Sequence, residues 1–247
     1  MTTYLLLPAY NEELALTRLL PQVHAANPDI RVIVCDDGSS DRTAEITREH
    51  GYALIQHADN QGLAAAVRSL ISYAARTALD NDVIVMMDGD GTMNPAQIAA
   101  MSARLDEGFD VVIASRFQPG AIEKGTSVQR RLYSHGCRVL FQTLQPIPQV
   151  RDYTCGYRAY RALVLKQQVT LYPQIFDAPG FSAATELLLS LRLLGARMSE
   201  IPLILRYDEK PTASKMKVMR TIHEYLRLAC TYPGHTVKKA HRAAVAQ

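Results

Sequence analysis

The chain has 247 residues, a net charge of +3 and no Trp, with 48% hydrophobic and 21% charged residues. That balance excludes a disordered chain and supplies ample material for a core, and the length suits one large α/β domain or two small ones. With 13 Gly, 12 Pro and no fixed period, collagen, coiled-coil and repeat architectures are excluded as well.

Short apolar runs alternate with helical patterns along the first half. Thr3–Pro8 reads as a strand, and Leu16, Leu19, Leu20 and Val23 recur at helical spacing within 11–26. Arg31–Asp36 is a second strand, closed by the turn Asp37-Gly38-Ser39-Ser40, and Asp41 is placed to cap a helix running to about His50. Tyr52–His57 is a third strand and 62–79 an Ala-rich helix. Val83–Asp88 is a continuous apolar strand of the kind buried on both faces. A helix over 95–107, with Pro at its first turn, leads to a fifth strand at 110–115. This order predicts a largely parallel sheet covered by helices on both faces, with ligands beyond the carboxyl ends of the strands.

The second half is less regular. A Gly-rich loop is expected over 117–127, a helix over 128–144, an extended aromatic segment over 152–160 and an amphipathic helix over 181–194. A strand is expected over 198–207, and a basic helix over 215–229 whose Val218, Ile222 and Leu226 stripe packs on the core or lies on an anionic leaflet. No linker separates the halves, so one domain is expected over 1–247: a donor half to residue 117 and an acceptor half from 118.

The four Cys show neither C-x-x-C nor zinc spacing, which points to separate thiols in a reducing compartment. The first residues lack the basic lead of a secretion signal, and no run of about 18 apolar residues is present. A cytoplasmic location is expected. Nine Lys/Arg against three acids leave residues 206–247 at +6 and the first 205 at −3, so that end suits phosphates or an anionic lipid surface. Interleaved aromatics are too sparse there for a nucleic-acid platform, so no nucleic-acid partner is expected.

Chemistry concentrates at the expected ligand edge. Asp88 and Asp90, two residues apart in an extended chain, point to one side and repel unless a cation lies between them. Hard oxygen ligands of this kind prefer Mg²⁺ or Mn²⁺, which also take diphosphate oxygens. Pro8-Ala9-Tyr10-Asn11-Glu12 offers a ring for stacking and side chains that bind a base or cap a helix. Asp36-Asp37-Gly38-Ser39-Ser40-Asp41 adds acceptors beside it.

These segments, with Asn60-Gln61-Gly62, Asp88-Gly89-Asp90 and Ser115-Arg116, resemble glycosyltransferase family 2 in order and spacing from Tyr4 to about Phe117. Arg130-Arg131-Leu132-Tyr133-Ser134, Asp152-Tyr153-Thr154-Cys155-Gly156-Tyr157 and Ser214-Lys215 resemble its dolichol-phosphate mannosyltransferase branch. The resemblance implies a GT-A fold, a nucleoside-diphosphate sugar such as GDP-mannose or UDP-hexose, Mg²⁺ or Mn²⁺, and inversion at the anomeric carbon. It further implies a polyprenyl-phosphate-type acceptor; the membrane-spanning tail of some relatives is not found here, so any lipid contact is expected to be peripheral, at the cytoplasmic face of a membrane.

Carried over by the resemblance, Pro8, Ala9, Tyr10, Glu12, Asp36, Asp37, Asp88, Gly89 and Asp90 hold the donor. Asp88, Asp90 and Thr92 hold the metal, and Arg116, Arg130, Ser134 and Lys215 hold the acceptor. Asp90, Arg116 and Arg130 are the expected catalytic set. Thr92 stands where the branch commonly carries Gln. The R-x-x-G-x-S-K pattern near the end is altered at Thr212, leaving Arg206 or Lys210 to supply its cation. A second reading takes Asp88-Gly89-Asp90-Gly91-Thr92 as the D-x-D-G-T signature of haloacid-dehalogenase-like phosphatases, although three strands precede it here. A third is a non-catalytic binder of sugar nucleotides or lipid head groups.

Overall fold

The computed structural model describes residues 1–171, 180–212 and 218–232. Ser214 and Lys215, and the basic positions Lys238, Lys239 and Arg242, lie outside them. Strands β1 (Thr3–Ala9), β2 (Arg31–Asp36), β3 (Ala53–Gln56) and β4 (Val83–Met86) alternate with helices α1 (Glu13–Ala26), α2 (Thr43–Glu49) and α3 (Leu63–Thr77). Helix α4 (Gln97–Asp106) leads to β5 (Val111–Ser115). All of β4 and β5 is buried, which is why their sequences are unbroken apolar runs rather than alternating ones.

The second half adds β6 (Ile122–Lys124), α5 (Val128–Leu144), β7 (Arg158–Arg161), α6 (Ala162–Leu171), α7 (Ser182–Leu193), β8 (Met198–Pro202), β9 (Ile204–Arg206) and α8 (Val218–Thr231). The main sheet runs β3-β2-β1-β4-β7-β5-β8, and β6 and β9 form a separate pair. Every ladder of the main sheet is parallel except those of β7, which lies antiparallel between β4 and β5. The expected mostly parallel α/β sheet is therefore present, in the GT-A arrangement, with one strand of the second half set into the middle of the first.

Four expectations are corrected. The loop over 117–127 contains β6. The strand expected over 198–207 is two strands that part at Leu203; Pro202 lies on the edge strand β8, where a missing N–H costs no bond to β5. Leu203 donates to Ser115 O at 3.0 Å, the last bond to β5, and accepts from Ile122 N at 2.8 Å, carrying the chain into the second sheet. Only the end of the aromatic segment over 152–160 is strand, and α6 follows it directly. Finally, α8 buries Thr221, Tyr225, Leu228 and Ala229, whereas Leu226 of the expected core stripe is 46% exposed.

Candidate active site

The chain leaves β1 toward β2 and β3 on one side and returns to β4 on the other. The connections diverge at that point and open a crevice beyond the carboxyl ends of β1 and β4. A cavity of about 1010 Å³ occupies it. Its walls include Pro8, Ala9, Tyr10, Glu12 and Asp37 from the first two strand ends and Asp88, Gly89, Asp90 and Thr92 from the fourth. Arg116, which follows β5, and Arg130 of α5 complete the expected set on its wall.

Two expected residues stand back from the cavity. Ser134 is reached through Arg116, which donates to its Oγ at 2.7 Å. Asp36 is fully buried and serves the turn, accepting from Ser39 N at 3.0 Å and Gln56 Nε2 at 3.3 Å. The turns after β1 and β2 are stitched together. Asn11 N donates to Ser39 Oγ and Ser40 N to Asn11 Oδ1, both at 2.8 Å, and Glu12 N donates to Thr43 Oγ1 at 2.9 Å. Asp41 accepts from Thr43 N and Glu13 N, each at 3.0 Å, so one carboxylate secures the first turns of both α2 and α1.

Asp37 is occupied by the loop after β3. It accepts from His57 Nδ1 at 2.6 Å, Gln61 N at 3.0 Å and Gly62 N at 2.8 Å, and His57 Nε2 meets Ser69 Oγ at 3.0 Å. The carboxylate thus fixes Asn60, Gln61 and Gly62, which also line the cavity. Cys35 beneath is inert: burial first, then the charges of Asp37 and Asp36, push its thiol up to about 12.

At the acidic wall, Asp90 Oδ1 accepts from Thr92 N at 3.1 Å and from Thr92 Oγ1 at 2.7 Å. Thr92 is 2% exposed, so its hydroxyl works on Asp90. Asp90 Oδ2 carries an ion pair from Lys210 Nζ, and Thr212 Oγ1 donates to Glu12 Oε2 at 3.4 Å. Arg206, the other candidate for that cation, pairs instead with Asp208 and Glu209, at 3.0 and 2.7 Å. Asp88 receives no hydrogen bond among the described residues. Burial, then the charges of Asp90 and Glu12, outweigh Lys210 and raise its carboxyl to about 7. Such a pair is short of positive charge, and its hard oxygens fit Mg²⁺ or Mn²⁺. Among the described residues no group of three His, Cys, Asp or Glu side chains is set to hold a metal. A cation on this pair would therefore draw further ligands from phosphate oxygens and water.

At the basic wall, Arg116 donates to Asp152 from Nε at 2.8 Å and from Nη2 at 2.6 Å, and also from Nη2 to Thr154 Oγ1 at 2.6 Å. Burial opposes the Arg116 charge, but the charge and hydrogen bonds of Asp152 outweigh it and hold the proton more tightly. Burial likewise favours a protonated Asp152; Arg116 outweighs it and keeps that carboxyl below the usual range. Glu200 of β8 supports the pair by accepting from Asp152 N and Arg151 N, both at 2.7 Å. Arg130 donates to Tyr207 Oη at 2.5 Å with its guanidinium 4.7 Å from that ring's centroid. Thr154, Cys155 and Gly156 span the two walls: Thr154 touches Arg116, and a Cβ on Gly156 would lie 3.5 Å from Asp88 Oδ1. Asp152, Thr154, Tyr207 and Glu200 were not among the expected site residues. Asp152 and Thr154 belong to a quoted motif that carried no assigned role, and Tyr207 and Glu200 act across 77 positions of sequence or through a partner.

Residues 4–168 match the profile of glycosyl transferase family 2. The chain is 30% identical over 171 residues to a polyprenol monophosphomannose synthase of Mycolicibacterium smegmatis, covering 67% of this chain and 63% of that protein. It is 31% identical to a dolichyl-phosphate hexose transferase of Haloferax volcanii over 84% of this chain and 83% of that one. In fold it is similar to glucosyl-3-phosphoglycerate synthase of Mycobacterium tuberculosis, solved with Mn²⁺, uridine diphosphate and phosphoglyceric acid, with a TM-score of 0.67 at 20% identity over 93% and 78% of the two chains. The aligned stretch spans a little under two thirds of the Mycolicibacterium smegmatis relative. The family match runs across Asp88-Gly89-Asp90 and sets aside the phosphatase reading of that motif.

Proposed function

Since the chain belongs to glycosyl transferase family 2, we propose that it moves a hexose from a nucleoside-diphosphate sugar to the phosphate of a polyprenyl or dolichyl phosphate, inverting the anomeric carbon. The observation that carries this reading is one cavity walled by Asp88 and Asp90 and by Arg116 and Arg130, with three residues, Thr154 to Gly156, between them. Such a segment spans about 7 Å, a distance suited to two phosphate-bearing substrates meeting at one sugar.

A phosphate monoester oxygen is already anionic near neutral pH, so the nucleophile needs no strong base. The protein's task is to bring two anions together. Arg116, its donors largely engaged by Asp152, Ser134 and Thr154, presents a fixed positive charge to the acceptor phosphate, and Arg130, lying on Tyr207, supplies a second guanidinium. Pro8, Ala9, Tyr10 and Glu12 receive the nucleoside. Asp37 holds the loop 57–62 against it. Asp88 and Asp90, with Thr92 aligning Asp90, would hold Mg²⁺ or Mn²⁺, which offsets the charge gathering on the departing diphosphate.

In this reading the enzyme works in the cytoplasm at a membrane face. Among the described residues no helix is long and apolar enough to cross a membrane. Helix α5 turns Arg130 and Ser134 toward the site, while Val128, Leu132 and Val139 are 80%, 70% and 64% exposed. Helix α8 packs on α5 through Tyr225 against Phe141 and exposes Met219 at 75% and Leu226 at 46%. Apolar side chains flanked by Arg131 and Arg227 suit an anionic leaflet that holds the acceptor.

The test is transfer of labelled sugar from GDP-mannose or a UDP-hexose to a short polyprenyl phosphate with Mn²⁺ present. A labelled product extractable into organic solvent is expected, and Asp90→Asn lowers its rate at least about 100-fold. Transfer only to a water-soluble phosphate such as phosphoglycerate overturns the acceptor class. Undiminished transfer by Asp90→Asn overturns the site.

A further inference from the structure

The acidic pair already has a cation within reach, and it belongs to the chain. Lys210 closes a short 3₁₀ turn (Tyr207–Glu209) that follows β9. The root of this strap is fastened beside the site: Arg206 N donates to Thr92 O at 2.8 Å, and Ile204 N to Gln97 Oε1 at 2.9 Å. From there Lys210 places its ammonium on Asp90 Oδ2, with the Tyr207 ring centroid 5.5 Å from Nζ. The Lys210 and Asp90 side chains are only 10% and 15% exposed. Asp90 Oδ1 is taken by Thr92. Both oxygens of Asp90 are therefore engaged, one of them by a full positive charge.

A divalent ion and this ammonium compete for one oxygen. Both cannot sit on Asp90 Oδ2 without strong repulsion across a few ångströms. We propose that Lys210 is a tethered counter-ion. In the donor-free protein it satisfies Asp90 and weakens the binding of free divalent metal. An arriving nucleoside diphosphate offers it another anion, so that metal and donor load together. Lys210 is here a positioning residue, and the inference rests on Asp88 and Asp90 being the metal site. The logic is linkage: if the diphosphate draws Lys210 away, it strengthens metal binding, and the metal strengthens diphosphate binding by the same factor.

The test measures Mn²⁺ binding to the full chain by electron paramagnetic resonance of the free ion, with and without UDP or GDP. Lys210→Met, and Lys210→Gln as a second variant, are expected to bind Mn²⁺ at least about tenfold more tightly than wild type without nucleotide. The extra affinity that nucleotide confers in wild type is expected to shrink in both variants. Lys210→Arg, which keeps the charge, retains weak binding. Mn²⁺ affinity unchanged or reduced in Lys210→Met and Lys210→Gln overturns the tethered counter-ion. Adding Asp90→Asn separates the two readings. If Asp90→Asn abolishes Mn²⁺ binding while the Lys210 variants match wild type, this inference alone fails. If Asp90→Asn leaves Mn²⁺ binding intact, the metal site fails and the inference with it.

Discussion

Arg116 and Asp152 are joined three times over: the backbone N, Nε and Nη2 of the arginine donate to the two carboxylate oxygens at 3.0, 2.8 and 2.6 Å. The carboxylate is fully buried and the arginine side chain 16% exposed. Removing one member of such a pair strands the other's charge. Asp152→Ala is expected to cost about 3–5 kcal/mol of stability, read from urea unfolding midpoints. A loss within about 0.5 kcal/mol, the range of an unremarkable surface change, would contradict the clamp.

Arg130 lies on Tyr207, donating to its hydroxyl with the guanidinium 4.7 Å from the ring centroid. Arg130→Ala probes the acceptor without stranding the buried Asp152 charge, as any neutral change at Arg116 would. The expected result is a higher KM for the acceptor phosphate, by about tenfold or more, with the donor KM little changed. Equal loss for both substrates would remove Arg130 from the acceptor side.

Asp88 supplies a pH dependence. Its carboxyl is raised to about 7 in the folded protein, chiefly by burial and by Asp90. The folded state then holds a proton that the unfolded chain has lost, so this group's contribution to stability falls as pH rises from about 4 to about 7. Asp88→Asn should remove that slope, measured as the difference between wild-type and variant melting temperatures at pH 5 and pH 7.5. Mn²⁺ affinity without donor should move the other way, tightening as pH rises through about 7, because the ion and the proton compete for Asp88. An Mn²⁺ affinity flat from pH 5.5 to 8 is the contrary outcome.

Gly125 has φ +75°, and a Cβ there would land on the backbone of Asp208. The strap that carries Lys210 rests on this glycine. Gly125→Ala is expected to destabilise the protein by more than about 1 kcal/mol and to lower kcat/KM for the donor. Calorimetry and initial rates measure the two effects. Wild-type values for both would show that the strap shifts without consequence.

Leu132→Glu together with Val139→Glu places charge on the exposed face of α5 while leaving Arg130 and Ser134 alone. Co-sedimentation with vesicles containing anionic lipid should be lost. Transfer to a short, water-dispersed acceptor should persist. Retained sedimentation would move the membrane contact elsewhere.

The first half was legible because its strands are buried on both faces and its helices bury one stripe; Val83–Met86 and the Leu16, Leu19, Leu20, Val23 series read directly as structure. The strand β7 was not. Its sequence, Arg-Ala-Tyr-Arg, reads as surface, yet Arg158 is fully buried because it donates to the carbonyls of Ala184 and Tyr153. Helix α8 carries two apolar rows, and periodicity cannot say which one meets the core. The acidic and basic residues of the site came from local motifs. Their governors, Asp152 for Arg116 and Lys210 for Asp90, lie 36 and 120 positions away; the sequence marks one within a motif and the other as a candidate cation, but no local pattern names the partner of either.

The place of β7 in the main sheet bears on how the chain can be divided. A fragment ending at residue 117 would carry β4 and β5 with the strand that joins them missing, since β7 pairs Ile84 with Tyr160 and Val112 with Ala159. The first half of the chain is thus no self-sufficient module. It would emerge from the ribosome with two sticky, ungated edges until some 40 further residues arrived to zip them shut. Dissection, permutation or grafting of this scaffold has to keep that late strand with its early neighbours.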